Sequence, residues 1–220
     1  MRVSSTTIVK ILIVDDHPMV RDGISMRIRT QRDLVVCGEA ASEEEAFVKV
    51  KETTPDLMIV DISLRVGNGI AVVKQVKVDY PSVKILVVSG FQESLYGERA
   101  LRAGAMGYLN KQESNEKLLE AIRTVLAGNY FASHETLQRL VKQGLGNREE
   151  QRTPIEHLTN RELEVFRMIG EGLASSVIAE KLILSPHTID THREKIKRKL
   201  NIKSAGELTR TAVQWVLENE

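Results

Sequence analysis

The sequence predicts an α/β domain built as a doubly wound (βα)5 parallel sheet, followed by a small all-α domain of four helices. Three observations carry this. Five short apolar runs alternate with longer segments of helical period over residues 9–128. A polar stretch with two glycines and a proline then interrupts the rhythm. After it the chain shows helix signals only, with no further strand-like run.

The apolar runs are Ile11-Leu12-Ile13-Val14, Leu34-Val35-Val36-Cys37, Leu57-Met58-Ile59-Val60, Ile85-Leu86-Val87-Val88 and Gly107-Tyr108-Leu109. Nearly continuous apolar strands imply burial on both faces, as in a parallel sheet covered by helices. Between them, Ser42 followed by Glu43-Glu44-Glu45 forms a capping-box pattern, and Asn68-Gly69 opens the third helix. Ser114 precedes the apolar spacing Leu118, Leu119, Ile122 and Val125, and that helix ends at Gly128-Asn129. A further short helix is predicted over Ser133 to Lys142. Gly144 to Pro154 has almost no apolar content and reads as a connection. The predicted all-α helices are Asn160–Gly170, Ser176–Leu182, Pro186–Leu200 and Ala205–Leu217. Their caps are Thr159 with Glu162, Ser175, Ser185 before Pro186, and Ser204 with Glu207. The domains are thus 9–128, a linker with a short helix over 129–154, and 155–218.

Composition excludes several classes. The 220 residues are 42% hydrophobic and 28% charged, which permits an ordinary core. No apolar run reaches the roughly 18 residues of a membrane span, and Asp15 and Asp16 close the N-terminal apolar stretch, so neither a membrane protein nor a signal peptide is expected. The lone Cys37 forms no internal disulfide and reads as a buried strand residue, which points to a reducing cytoplasm. Lys and Arg exceed Asp and Glu by one, so any nucleic-acid contact rests on a local patch. Four Phe, four Tyr and one Trp offer little for stacking unpaired bases; Trp215, at helical spacing from Leu208, Thr211 and Ala212, is expected to pack.

Ligands of an open α/β sheet bind beyond the carboxyl ends of its strands, where strand order reverses. The residues there are Asp15 and Asp16, Asp61, Ser89 and Lys111. With strand order 2-1-3-4-5 the first and third strands adjoin, which gathers three mutually repelling carboxylates. Mg²⁺ relieves that repulsion, keeps several waters and holds a phosphate. An aspartate beside Mg²⁺ and a lysine can accept a phosphoryl group, with Ser89 gripping one of its oxygens. Each aspartate alone also reads as a helix cap, and His17 reads as a helix-start residue.

The segments Ile11 to Pro18, Asp56-Leu57-Met58-Ile59-Val60-Asp61, Val87-Val88-Ser89-Gly90 and Ala103 to Lys111 resemble the receiver domain of bacterial two-component response regulators. The resemblance implies that Asp61 takes a phosphoryl group from a sensor histidine kinase. It implies that Asp15 and Asp16 support Mg²⁺, Asp16 directly, and that Ser63 gives the metal its backbone carbonyl. Ser89 and Tyr108 match the switch pair, whose hydroxyl moves toward the phosphoryl group while the ring turns inward. Leu64 and Arg65 stand where the family often has methionine and proline, and Gln112 where many receivers have proline.

In the second domain, Ser176–Leu182, a short turn and Pro186–Leu200 have the lengths of a helix-turn-helix. From Thr188 through Lys203 six basic residues face Asp190 and Glu194, a local +4 that suits phosphates, while Ile189, Ile196 and Leu200 keep an apolar stripe. A solvated basic face would show the same charge. However, Leu158-Thr159-Asn160-Arg161-Glu162, Ile178 to Leu182 and Ser185 to His192 with Lys199-Leu200 resemble the LuxR-type DNA-binding domain, and the whole chain resembles NarL/FixJ-type transcription regulators. The resemblance implies DNA contacts from Ser185, Thr188, Asp190, Thr191, His192, Arg193, Lys195, Lys197 and Lys199. A lysine is common where Asp190 stands.

The implied protein is a phosphorylation-switched transcription regulator, not an enzyme beyond its own phosphorylation and dephosphorylation at Asp61. Its partners would be a histidine kinase, double-stranded promoter DNA, a second copy when phosphorylated, and RNA polymerase. Two rival readings are a Mg²⁺-dependent phosphohydrolase, which would usually carry Asp-x-Asp and a substrate cap, and an adaptor whose pocket is never phosphorylated.

Overall fold

The computed structural model describes residues 8–145 and 154–219. The chain divides into two compact units, Met1–Leu140 and Val141–Glu220. The first is the expected sheet: β1 (Val9–Val14), β2 (Leu34–Ala40), β3 (Leu57–Val60), β4 (Lys84–Ser89) and β5 (Gly107–Asn110), all parallel in the order β2-β1-β3-β4-β5. Helices α1 (Pro18–Arg29), α2 (Glu43–Thr53), α3 (Gly69–Asp79), α4 (Glu93–Ala103) and α5 (Asn115–Leu126) alternate with the strands. The fully apolar strands are buried throughout their central residues: Ile11 to Val14 and Leu57 to Val60 expose at most 1%. Burial on that scale contributes roughly 1.5–3 kcal/mol for each large aliphatic side chain.

The start signals act as predicted. Ser42 accepts a hydrogen bond from the Glu45 amide, Asn68 from those of Ile70 and Ala71, and Ser114 from that of Lys117. Gly128, at φ +89, follows the end of α5. Cys37 departs from expectation: it is half-buried, the extra residue of a bulge between the Ile11–Val36 and Leu12–Gly38 pairs. A bulge leaves one residue of the strand without a ladder partner and bends the strand there.

The segment after α5 is more structured than a linker. The Phe131 amide donates to the Met106 carbonyl (2.9 Å) and the Tyr108 amide donates to the Phe131 carbonyl (2.8 Å), so Phe131 pairs in parallel with the free edge of β5. Ser133 then caps α6 (His134–Leu145), accepting from the Thr136 amide, while its own amide donates to Glu93 of α4 (2.6 Å). Of the predicted Gly144–Pro154 connection, residues 146–153 lie outside the described residues.

The second unit holds a 3-10 turn (Pro154–His157) and four helices, α7 (Asn160–Gly170), α8 (Ser175–Lys181), α9 (Pro186–Lys199) and α10 (Ala205–Asn219). Thr159 and Glu162 form a complete capping box, Ser185 caps α9 and Ser204 accepts from the Glu207 amide. One cap is corrected: Ala174, not Ser175, caps α8, and no side chain takes part. Ser175 falls one residue too late, already inside the helix, so this short element relies on burying Ile178 and Ala179. Between α8 and α9, Ile183 adopts φ +52, a left-handed conformation that β-branched residues rarely take. Helices α7 and α10 pack closely at Gly170, where an added Cβ would fall 2.4 Å from the Ala212 carbonyl oxygen. Trp215 packs on Phe166 with ring centroids 5.6 Å apart, as expected of a core residue.

Candidate functional site: an acidic pocket and a basic helix

The carboxyl ends of β1, β3, β4 and β5 bring Asp15, Asp16, Asp61, Ser89 and Lys111 together. Asp15 and Asp61 are each 2% exposed, and the Lys111 ammonium bridges them at 2.7 Å to one oxygen of each. Three carboxylates against the Lys111 ammonium and the more exposed Arg65 guanidinium, 3.7 Å from Asp16, leave one negative charge over. Burial first, and then the charge of Asp15, raises the Asp61 pKa, although Lys111 and the Ser63 amide pull it down. Burial works against the Lys111 ammonium too, but the two carboxylates outweigh it and hold the lysine charged.

One oxygen of Asp61, Oδ1, is buried and accepts no hydrogen bond, and the same is true of Asp16 Oδ1, which lies 2.8 Å from His17 Nδ1 without hydrogen-bond geometry. A buried acceptor left empty costs about 1–3 kcal/mol. Ligating oxygens of Asp15, Asp16 and Asp61, together with a ring nitrogen of His17, lie within 4.8 Å of one another. A surplus of negative charge and empty oxygen acceptors are what a divalent cation satisfies, so the residues fit a metal ion.

Loop positions around the pocket are tightly held. The Arg65 amide donates to Asp16 Oδ2 (3.2 Å), and its guanidinium stands 3.7 Å from the same oxygen. Gly69 brings the start of α3 against the backbone of Asp61, where an added Cβ would lie 1.9 Å from the Asp61 carbonyl oxygen. His17 occupies the N-cap position of α1, yet its ring makes no cap bond and turns to the carboxylates.

Ser89 is fully buried and accepts from the Phe91 amide at 3.4 Å. Tyr108 is turned inward, 1% exposed, and its hydroxyl donates to the Phe91 carbonyl (2.9 Å), which also accepts from Asn110 (3.0 Å). Burial raises the Tyr108 pKa and keeps it a neutral phenol. Phe91 escaped the sequence reading because a carbonyl carries no residue-type signal.

On α9, Ile189 and Ile196 are buried, while His187, Asp190, Thr191, Glu194, Lys195 and Arg198 are exposed. The predicted contacts divide. Ser185 and Thr188 share a hydroxyl hydrogen bond (2.8 Å) and Thr191 donates to the His187 carbonyl (3.0 Å). Lys197 pairs with Glu194 at 2.7 Å. Lys199, itself exposed, donates to buried Glu162 (2.6 Å) and to the His157 carbonyl (3.1 Å), so it ties α9 to α7. His192 is half-buried, and desolvation first, then the charges of Lys195 and Arg161, lower its pKa. Among the described residues no acidic side chain pairs with Arg193, Lys195 or Arg198. Among the described residues no helix is long and apolar enough to cross a membrane.

Comparison with known proteins agrees with both halves. Residues 11–123 match the family described as "Response regulator receiver domain" and residues 156–212 the "Bacterial regulatory proteins, luxR family". The "Oxygen regulatory protein NreC" of Staphylococcus aureus is 36% identical over 210 residues, covering 93% of this chain and 97% of the relative. A solved two-component response regulator of the LuxR family from Aurantimonas is 31% identical, with a TM-score of 0.57, over 64% of this chain and 100% of that one. The RcsB response regulator of Salmonella typhimurium shares the fold at a TM-score of 0.65 and 24% identity, over 94% of this chain and 98% of that one. The chain belongs to the LuxR-family response regulators of two-component systems, a receiver domain followed by a DNA-binding helix-turn-helix domain.

Proposed function

We propose that Asp61 accepts a phosphoryl group from the phosphohistidine of a sensor histidine kinase, and that this switches dimerisation and promoter binding by α9. The observation that carries it is the state of the Asp61 carboxylate: Oδ2 is held by Lys111 at 2.7 Å while Oδ1 is buried and empty. The free oxygen forms the new P–O bond as the P–N bond to the imidazole breaks, and the imidazole nitrogen recovers a proton. Lys111 and the Ser89 hydroxyl neutralise the phosphoryl oxygens as charge builds on them. Asp15, Asp16, Asp61 and the Ser63 carbonyl would hold Mg²⁺, which supplies further charge neutralisation. Water attack on the same phosphoryl group returns the free carboxylate, so the chemistry is confined to the protein itself.

The receiver over 9–128 is then the input and 155–218 the output, with 129–154 between them. Dimers would read two half-sites about one helical turn, roughly 34–36 Å, apart. The cytoplasm, where phosphohistidine, promoter DNA and RNA polymerase meet, is the compartment of this activity.

The test is intact mass, sedimentation and DNA binding of wild type and Asp61→Asn after acetyl phosphate with Mg²⁺. A phosphoryl adduct confined to wild type, with dimerisation and tighter DNA binding, is the expected result. An equal adduct on the variant, or identical DNA binding by both, overturns the switch.

A further inference from the structure

The groove-facing start of α9 carries a carboxylate whose role the phosphate-binding charge does not explain. Asp190 is exposed on the second turn, and none of the described residues hydrogen-bonds or ion-pairs with it. The hydroxyls around it are engaged within the helix: Ser185 and Thr188 bond each other, and Thr191 donates to the His187 carbonyl. Of the side chains exposed on the first two turns, Asp190 is the one that carries a carboxylate.

Residues at the N-terminal end of a recognition helix meet base edges, whereas phosphates are met by cations around them. A carboxylate near phosphates is repelled, and a donor on a base edge offsets that repulsion. On the major-groove edges, guanine shows two acceptors and thymine an acceptor and a methyl group, so both reject a carboxylate. Adenine pairs its amino donor with the acceptor N7. Cytosine presents its N4 amino group and no acceptor beside it on that edge, and it is the base an aspartate accepts from.

We propose that Asp190 is a specificity-determining residue that accepts a hydrogen bond from a cytosine amino group in each half-site, and that its charge lowers affinity for every other sequence. Arg193, Lys195 and Arg198, further along the same helix, supply the phosphate attraction that holds the helix in place. The carboxylate then acts twice: it gains at one base, and it raises the ratio of specific to non-specific binding by repelling the backbone elsewhere. This rests on the DNA-binding reading of α9.

The experiment selects from a random-sequence duplex pool with the full chain treated with acetyl phosphate and Mg²⁺, using wild type, Asp190→Ala and Asp190→Asn. Trp215 fluorescence melts confirm that each variant is folded. Wild type is expected to enrich cytosine at one position of each half-site, by about tenfold or more over the other bases, the scale of one mismatched pair. Asp190→Ala should enrich the same flanking bases without preference at that position, and Asp190→Asn should shift it toward adenine. Both variants should bind unselected duplex several-fold more tightly at low salt. Identical selected sequences from wild type and Asp190→Ala would overturn the proposal. Absence of enrichment at any position with all three proteins would instead overturn the DNA-binding reading beneath it.

Discussion

Replacing Lys199 with methionine keeps the length of the side chain and removes the ammonium that reaches Glu162 at 2.6 Å and the His157 carbonyl at 3.1 Å. The Glu162 side chain is 4% exposed and that of Lys199 30%, so only one partner is truly withdrawn from water. The figure of about 3–5 kcal/mol for breaking a fully buried pair is therefore a ceiling. A charge-assisted hydrogen bond of about 1.5–3 kcal/mol is the closer guide. For a unit of this size that corresponds to a melting temperature lower by about 6–24 °C.

Trp215 is the only tryptophan in the chain and sits in the second unit against Phe166, so its fluorescence follows that unit alone. The effect carries a pH signature. Burial pushes the Glu162 carboxyl up, but Lys199 and the Thr159 capping bonds override it and hold the group below its ordinary 4.5. A depressed carboxyl stabilises fully above its unfolded pKa and loses that contribution as pH falls through the folded value. The gap between wild type and Lys199→Met should thus be widest near neutrality and narrow in acid, leaving the share of the His157 carbonyl bond. Equal Trp215 melting midpoints at neutral pH would refute the reasoning, as would a gap that fails to narrow once Glu162 is protonated. DNA affinity gives an independent check: a phosphate contact from Lys199 would add about 0.9 to the slope of log K against log salt, and the inward geometry predicts no change in that slope.

Three further perturbations follow from the same structure. Gly69→Ala must displace the start of α3 from the Asp61 carbonyl; a loss of about 1–3 kcal/mol is expected, together with a smaller Mg²⁺-induced rise in the receiver's melting temperature, read by circular dichroism. Ile183→Asn puts a residue that tolerates positive φ into the turn before α9 and should raise the Trp215 midpoint by an amount equivalent to about 1 kcal/mol, whereas a lower midpoint would mean the side chain matters more than the backbone. The lowered pKa of His192 means the folded unit resists protonating it, so stability is full above its ordinary 6.5 and falls as pH drops below that; Trp215 melts between about pH 7.5 and 5.5 should show the decline, and His192→Gln should flatten it.

The pocket was legible in the sequence because its chemistry sits in residue types at strand ends, and because strands buried on both faces announce themselves as unbroken apolar runs. Most helix starts were legible for a similar reason, since Ser42, Asn68, Ser114, Thr159 and Ser185 bond locally to amides within three residues. What stayed hidden depends on distant backbone. Phe91 serves Tyr108 through a carbonyl, Gly69 is required by the approach of Asp61, and Lys199 reads as one more cation until Glu162 is seen beneath it. The bulge at Cys37 likewise follows from how β1 and β2 register, which neither strand states alone.

The pairing of Phe131 with β5 bears on how this protein can be taken apart. A cut after Gly128, where the last receiver helix has ended, would strip the Tyr108 amide and the Met106 carbonyl of their partners and leave the outer strand with a bare margin. Such a margin invites strands from other molecules. The workable seam for grafting this receiver onto a foreign output module therefore lies beyond the Ser133–Thr136 cap, and hybrids joined nearer Gly128 should be the ones that self-associate.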